Sequence, residues 1–248
     1  MNLEVTNLCF GFEKNNYLLK NITFSVRTGE FIVLAGENGS GKSLLMKHLN
    51  GLHAPSSGAL LFNGKEVSKN KSEVRRKVGL VFQNSDAQFV AQTVYDEMAF
   101  GPENLGWEKN EIERKVSHYA DIFGITPYLD RHPHFLSGGE KKRIAIAAVM
   151  IMRPDLVIFD EPFATLDYKG VISVCNTIVD IYNQGCSVIV ITHDLEKILA
   201  HATRLMIMKS GMLVYDGKPS LEKRLLLDNN IRVPHGNRRS VESCTWLA

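Results

Sequence analysis

With 248 residues, 44% of them apolar and 23% charged, the chain can bury a sizeable core as one large domain or two small ones. A net charge of +2 falls short of the basic excess of a nucleic-acid binder, so no nucleic-acid partner is expected. The longest apolar run, IAIAAVMIM at 144–152, is well below the ~18 residues of a membrane span, and MNLEVTNL lacks a signal-peptide layout, so a membrane role requires a partner protein.

In chain order, FIVLA (31–35) predicts a buried strand, followed by a glycine-rich turn and a helix from Ser43 to about Leu49. ALLF and KEV flank Asn63-Gly64, a strong hairpin signal, and predict a peripheral antiparallel pair. KVGLVF (77–82) is the next strand. From Gln83 to Pro154 helical spacing dominates: Ile112, Val116, Tyr119 and Phe123 share one face, closed by Gly124. His132 and His134 flank Pro133 with no helical or cysteine partner and predict a loop rather than a metal site. Strands follow at LVIF (156–159), CSVIVIT (186–192) and RLMIM (204–208), while the tail from about Asp228 has too little periodicity to assign. The basic triplets Arg75-Arg76-Lys77 and Lys141-Lys142-Arg143 are expected on solvated faces. Cys9, Cys175, Cys186 and Cys244 show no C-x-x-C spacing and suit a reducing compartment.

Strands alternating with amphipathic segments predict an α/β fold with a parallel sheet. The expected division is a core of residues 1–83 and 154–227, an inserted helical subdomain at 84–153, and an unassigned tail at 228–248. Four strands run straight into polar groups: the glycine turn, Gln83, Asp160-Glu161 and His193. In an open parallel sheet the carboxyl ends share one edge, and ligands bind outside it. Four distant segments are thus expected to meet on one ledge.

GENGSGKS (36–43) fits the phosphate-binding pattern G-x-x-x-x-G-K-[ST]. Gly36, Gly39 and Gly41 let the backbone wrap so that its N–H groups point at phosphate oxygens, and the following helix adds its positive end. Lys42 supplies a point charge for the β- and γ-phosphates, and the Ser43 hydroxyl a ligand for Mg²⁺. Asp160 fits the acidic partner of that ion, and Glu161 can act as general base toward water. His193 can bond the γ-phosphate and hold the water or Glu161. Gln83 can reach Mg²⁺ or the water. A second bare helix start, Ser137-Gly138-Gly139, precedes Glu140, which completes a capping box with Ser137. It suits an anion but carries no lysine.

Together these segments resemble the nucleotide-binding subunit of an ABC transporter over about residues 3 to 225. GENGSGKS resembles the Walker A loop, Gln83 the Q-loop, LSGGE (136–140) the signature motif, and LVIFDE (156–161) Walker B. ATLD (164–167) resembles the D-loop, and His193 in ITHD the switch histidine. The resemblance implies a P-loop NTPase with a RecA-like core that binds and hydrolyses ATP with Mg²⁺. Two subunits, identical or closely related, would pack head to tail. Each ATP would then lie between one subunit's Walker A residues, including Asn38, Ser40 and Leu44, and the other's Ser137, Gly138, Gly139, Glu140 and Asp167. Phe12 matches the aromatic that stacks on adenine, with Tyr17 as alternative.

The stretch 78–106, particularly FGPENLG, resembles the ATPases of energy-coupling-factor and cobalt or nickel importers. That finer match implies a peripheral subunit on the cytoplasmic face of the membrane. Its partners would be a transmembrane coupling subunit and a membrane protein that captures a vitamin or metal ion. The sequence departs from the pattern at Phe163-Ala164 and in its short C-terminal region. An exporter or lipid-moving ATPase, or a soluble ABC ATPase, would carry the same motifs.

Overall fold

The computed structural model describes residues 1–13, 16–234 and 240–247. Its centre is a six-stranded sheet whose apolar runs alternate between two buried faces. Strands β3 (Phe31–Gly36), β6 (Val78–Val81), β7 (Leu156–Asp160), β8 (Ser187–Ile191) and β9 (Arg204–Lys209) are parallel, and β10 (Met212–Gly217) closes one edge antiparallel, in the order β10-β9-β3-β8-β7-β6. Phe31, Val33, Val157, Phe159, Val188 and Val190 face one cluster, and Ile32, Leu34, Leu156, Ile158, Ile189 and Ile191 the other. Both faces need a cover, which is why these strands read as unbroken apolar runs.

The second cluster is covered by an antiparallel sheet in the order β2-β1-β4-β5, built from β1 (Asn2–Phe10), β2 (Leu19–Arg27), β4 (Ser57–Phe62) and β5 (Lys65–Glu66), together with helix α1 (Lys42–Leu49). The Asn63-Gly64 turn has positive φ at both residues, as its type demands. The pairing of β1 with β2 escapes a period-two reading for a local reason. Asn7 and Asn21 both sit at positive φ, and the register slips between Val5 and Leu8 and again before Phe10. Such bulges break the alternation of apolar residues.

Helix α2 (Lys71–Lys77), whose Val74 joins the second cluster, precedes β6 and takes Lys77, which the sequence assigned to the strand; its ammonium pairs with Asp155 at 2.9 Å. The first cluster is covered by longer helices. Between residues 84 and 153 lie α3 (Val94–Asn104), α4 (Lys109–Ile122) and α5 (Gly138–Met150), without a strand. Ile112, Val116 and Phe123 are buried as their spacing requires, and Gly124 takes the left-handed φ that ends α4. Helix α6 (Tyr168–Asn183) completes the layer.

Two expectations need correction. The tail left unassigned is ordered in part: residues 240–247 fold back on the core, and helix α7 (Lys223–Asp228) ends where the tail begins. Cys244 is fully buried, its carbonyl accepts from Ala200 N at 3.0 Å, and Trp246 lies 5.3 Å from the Tyr168 ring and 5.2 Å from Lys197 Nζ. Tertiary contacts hold this segment, so it needs no period of its own. Residues 235–239 of the tail lie outside the described residues. Nor is Lys141-Lys142-Arg143 a solvated face, because consecutive helical residues are 100° apart and cannot share one. Lys142 is only 2% exposed, and Lys141 pairs with Asp86 at 2.8 Å.

Candidate active site

The glycine turn after β3 forms one wall of a cleft of about 480 Å³ lined by Gly39, Lys42, Ser43, Gln83, Asp160, Glu161 and His193. The four strand ends do meet. Gly36 has φ near 146°, and a Cβ there would lie 2.2 Å from the Met208 carbonyl oxygen, so β9 and the turn approach only across a glycine. Asn38, Gly41 and Leu44 line the same cleft. Ser40 is buried, and its Oγ makes no hydrogen bond among the described residues. Lys42 Nζ donates to the carbonyls of Gly36 and Glu37, both at 2.8 Å. Burial pushes its pKa down, against the raising influence of Glu161 and Asp160. A lysine charge held at a glycine-rich turn suits a polyphosphate. Lys42→Ala is expected to weaken ATP binding by ~10–10²-fold, the usual loss of one hydrogen bond to a charged group. Titration with a fluorescent ATP analogue measures it, and a loss below about tenfold would contradict the phosphate contact.

Across the cleft, Ser43 Oγ donates to Asp160 Oδ1 at 3.1 Å. Burial raises the Asp160 pKa, the Ser43 bond opposes this, and neighbouring Glu161 adds to it. A hydroxyl and a desolvated carboxylate this close fit Mg²⁺, which takes few protein ligands and fills its shell with phosphate oxygens and water. No cluster of three His, Cys, Asp or Glu exists among the described residues to form an all-protein cage. Glu161 Oε1 lies 3.0 Å from His193 Nδ1, with Glu161 13% exposed and His193 59%. Glu161 has φ near 41° and Thr165 near 64°. Left-handed non-glycine residues cost about 1–3 kcal/mol each and gather at functional sites.

Phe12 lies just beyond β1, 73% exposed, its ring edge-on to Phe10 at 5.1 Å; Phe10 packs on His48 of α1 at 4.6 Å. Tyr17 is also exposed. Neither borders the cleft, whereas Leu18 does.

A second cleft, of about 470 Å³, is lined by Ser137, Gly138, Gly139, Glu140, Arg143 and Asp167 among others, and shares no residue with the first. Ser137 caps α5 through a full capping box: Ser137 N and Oγ donate to Glu140 Oε2 at 2.8 and 2.7 Å, and Glu140 N donates to Ser137 Oγ. The Ser137 hydroxyl, then the Tyr128 hydroxyl, holds the Glu140 carboxyl down at about 2. Gly138 and Gly139 are helical, and a Cβ at either would meet nothing closer than 3.6 Å among the described residues. Asp167 Oδ1 caps α6 by accepting from Gly170 N at 2.8 Å.

Residue by residue, the sequence reading missed Leu18, Tyr128 and Lys142. Only Lys142 left a signal, as the middle member of a helical triplet that cannot all face solvent.

A family model described as ABC transporter matches residues 19–164. The chain belongs to the ABC transporter family. This ABC transporter chain is 41% identical over 234 residues to a putative ABC transporter ATP-binding protein of Pyrococcus furiosus, covering 94% of this chain and 87% of that one. It is 40% identical over 239 residues to the energy-coupling factor transporter ATP-binding protein EcfA of Carboxydothermus hydrogenoformans, covering 94% and 88%. Among solved structures it is similar to cbiO1 of Clostridium perfringens, described as part of the ABC transporter complex cbiONQ. That likeness has a TM-score of 0.80 and 34% identity, and covers 94% of this chain and 95% of the other. Like the family, this ABC transporter chain is an ATPase that binds ATP with Mg²⁺.

Proposed function

We propose that the chain is the ATPase subunit of an importer of the energy-coupling-factor type, working in a pair at the cytoplasmic face of the membrane. The observation that carries the paired reading is the second cleft. Its two helical glycines are demanded neither by φ nor by any contact among the described residues, although glycine raises the entropy cost of ordering a helix. A surface kept bare at that cost suits a ligand brought by another molecule, and the separate first cleft presents Lys42 to such a ligand. ATP bound at Lys42 of one subunit then meets Ser137, Gly138, Gly139, Glu140 and Asp167 of the next, with Phe12 stacking on the adenine.

In this reading Lys42 leaves its two carbonyls for the β- and γ-phosphates. Ser43, Asp160 and Gln83 would hold Mg²⁺ brought with ATP, which would supply neutralisation of the phosphate charge. Glu161, oriented by His193, accepts a proton from water as the water oxygen bonds the γ-phosphorus. The bond to the bridging oxygen breaks, and ADP leaves with its electron pair.

The import reading rests on the relatives' names and on the FGPENLG stretch. No helix among the described residues is long and apolar enough to cross a membrane; in this reading the transmembrane coupling subunit and the substrate-capture protein are separate partners. Exposed Val90 and Phe100, beyond Gln83, offer apolar contacts to the coupling subunit. The test is purification from native membranes in mild detergent, identification of co-purifying integral proteins, and ATP-driven uptake of vitamins, Co²⁺ and Ni²⁺ by vesicles containing the complex. Uptake of one of these supports the reading, and ATP-driven efflux overturns it.

A further inference from the structure

Lys142 takes no part in the chemistry above, yet it is the most buried member of its triplet. Its Nζ donates to the Phe82 carbonyl at 3.0 Å and the Gln83 carbonyl at 2.9 Å. Those two carbonyls lie just past β6, where the ladder to β7 has ended at Val81 and Phe159. Gln88 ties the same residue, Phe82, through its preceding peptide: its Oε1 accepts from Phe82 N at 3.1 Å and its Nε2 donates to the Ala145 carbonyl at 3.2 Å. Gly79 lets α5 approach this strand, since a Cβ there would lie 2.3 Å from Val149 Cγ1.

The segment carrying Gln83 is thus fastened to α5 directly by Lys142 and again through Gln88. Helix α5 is the helix whose first turn presents Ser137. Lys142 sits five residues after Ser137, about 7.5 Å along the axis at 1.5 Å per residue. Gln83 lines the first cleft and Ser137 the second, so one short rigid connection joins the chain's two unlike half-sites.

We propose that Lys142 is a positioning residue that makes the Gln83 segment and the signature helix move together, so that nucleotide in a chain's own cleft sets how its Ser137 meets the nucleotide of the partner subunit. The proposal rests on the paired-site reading above. Burial of a lysine among helix and strand is expensive, and an apolar residue would fill the space without that cost. Burial lowers the Lys142 ammonium to about 8, and the one opposing influence is the charge of Asp160, the carboxylate of the Mg²⁺ position. The lysine lies under the ledge it serves.

Coupling of this kind makes hydrolysis cooperative in ATP, with a Hill coefficient that approaches about 2, the number of shared sites. The experiment compares wild type, Lys142→Met and Gln88→Ala in steady-state hydrolysis against ATP concentration, and in ATP binding by the dilute monomer. Expected are a Hill coefficient falling toward about 1 in both variants and monomer binding within about twofold of wild type. Val116→Ala, a buried change in α4 away from the connection, controls for simple loosening of the helical layer and keeps the wild-type coefficient. A cooperative wild type with an equally cooperative Lys142→Met overturns the role of Lys142 alone. Equal loss of cooperativity in Val116→Ala also overturns it. A wild type without cooperativity overturns the paired-site reading along with it.

Discussion

Glu161→Gln is expected to keep ATP affinity while turnover falls by ~10²–10⁴-fold, the usual contribution of a positioned general base. The substitution preserves shape, and the new amide can still meet His193, which lies 3.0 Å from the present carboxylate. What it removes is the acceptor for the proton of the attacking water. Because the phosphates would then stay in place, the two subunits should remain joined. Size-exclusion chromatography with Mg·ATP should show a persistent dimer for the variant and a transient one for wild type. Turnover at the wild-type rate would remove Glu161 from the mechanism.

Ser137→Arg is expected to abolish turnover, by at least the ~10²–10³-fold attached to one lost donor at a charged oxygen. A dilute monomer of the same variant should bind ATP as wild type does. The contrast follows from geometry: Ser137 lines a cleft that shares no residue with the cleft at Lys42. Losing the cap costs about 1 kcal/mol, small beside the 5–15 kcal/mol of a typical domain, so a melting curve will separate a folding defect from a lost contact. If the monomer also fails to bind ATP, the second cleft serves its own chain and the paired site is wrong.

The ledge was legible because each of its strands is buried on both faces and stops abruptly at a polar residue. FIVLA, VGLVF, LVIF and VIVIT therefore announce both their identity and where they end. Helix α4 was legible through Ile112, Val116 and Phe123, and the Asn63-Gly64 hairpin through its dipeptide. The other half of the antiparallel sheet, β1 and β2, was hidden for the opposite reason, because Asn7 and Asn21 shift the apolar phase within those strands. Strand β10 follows a Ser210-Gly211 turn of the same positive-φ kind as Asn63-Gly64, a signal that was present and went unread. The capping box of Ser137 and Glu140 could be read from spacing. That Asp167 spends its carboxylate on capping α6, and that Tyr128 holds Glu140, could not, since both depend on how the loops close.

The fold-back of residues 240–247 has a practical consequence for anyone handling this protein. Trp246 rests between Tyr168, the neighbour of Asp167, and Lys197, four residues after His193. A bulky group attached near Trp246 therefore starts beside the face that, in the paired reading, would receive a second subunit. An affinity handle placed there risks acting as a wedge, and a cleavable or N-terminal handle is the sounder choice for activity measurements.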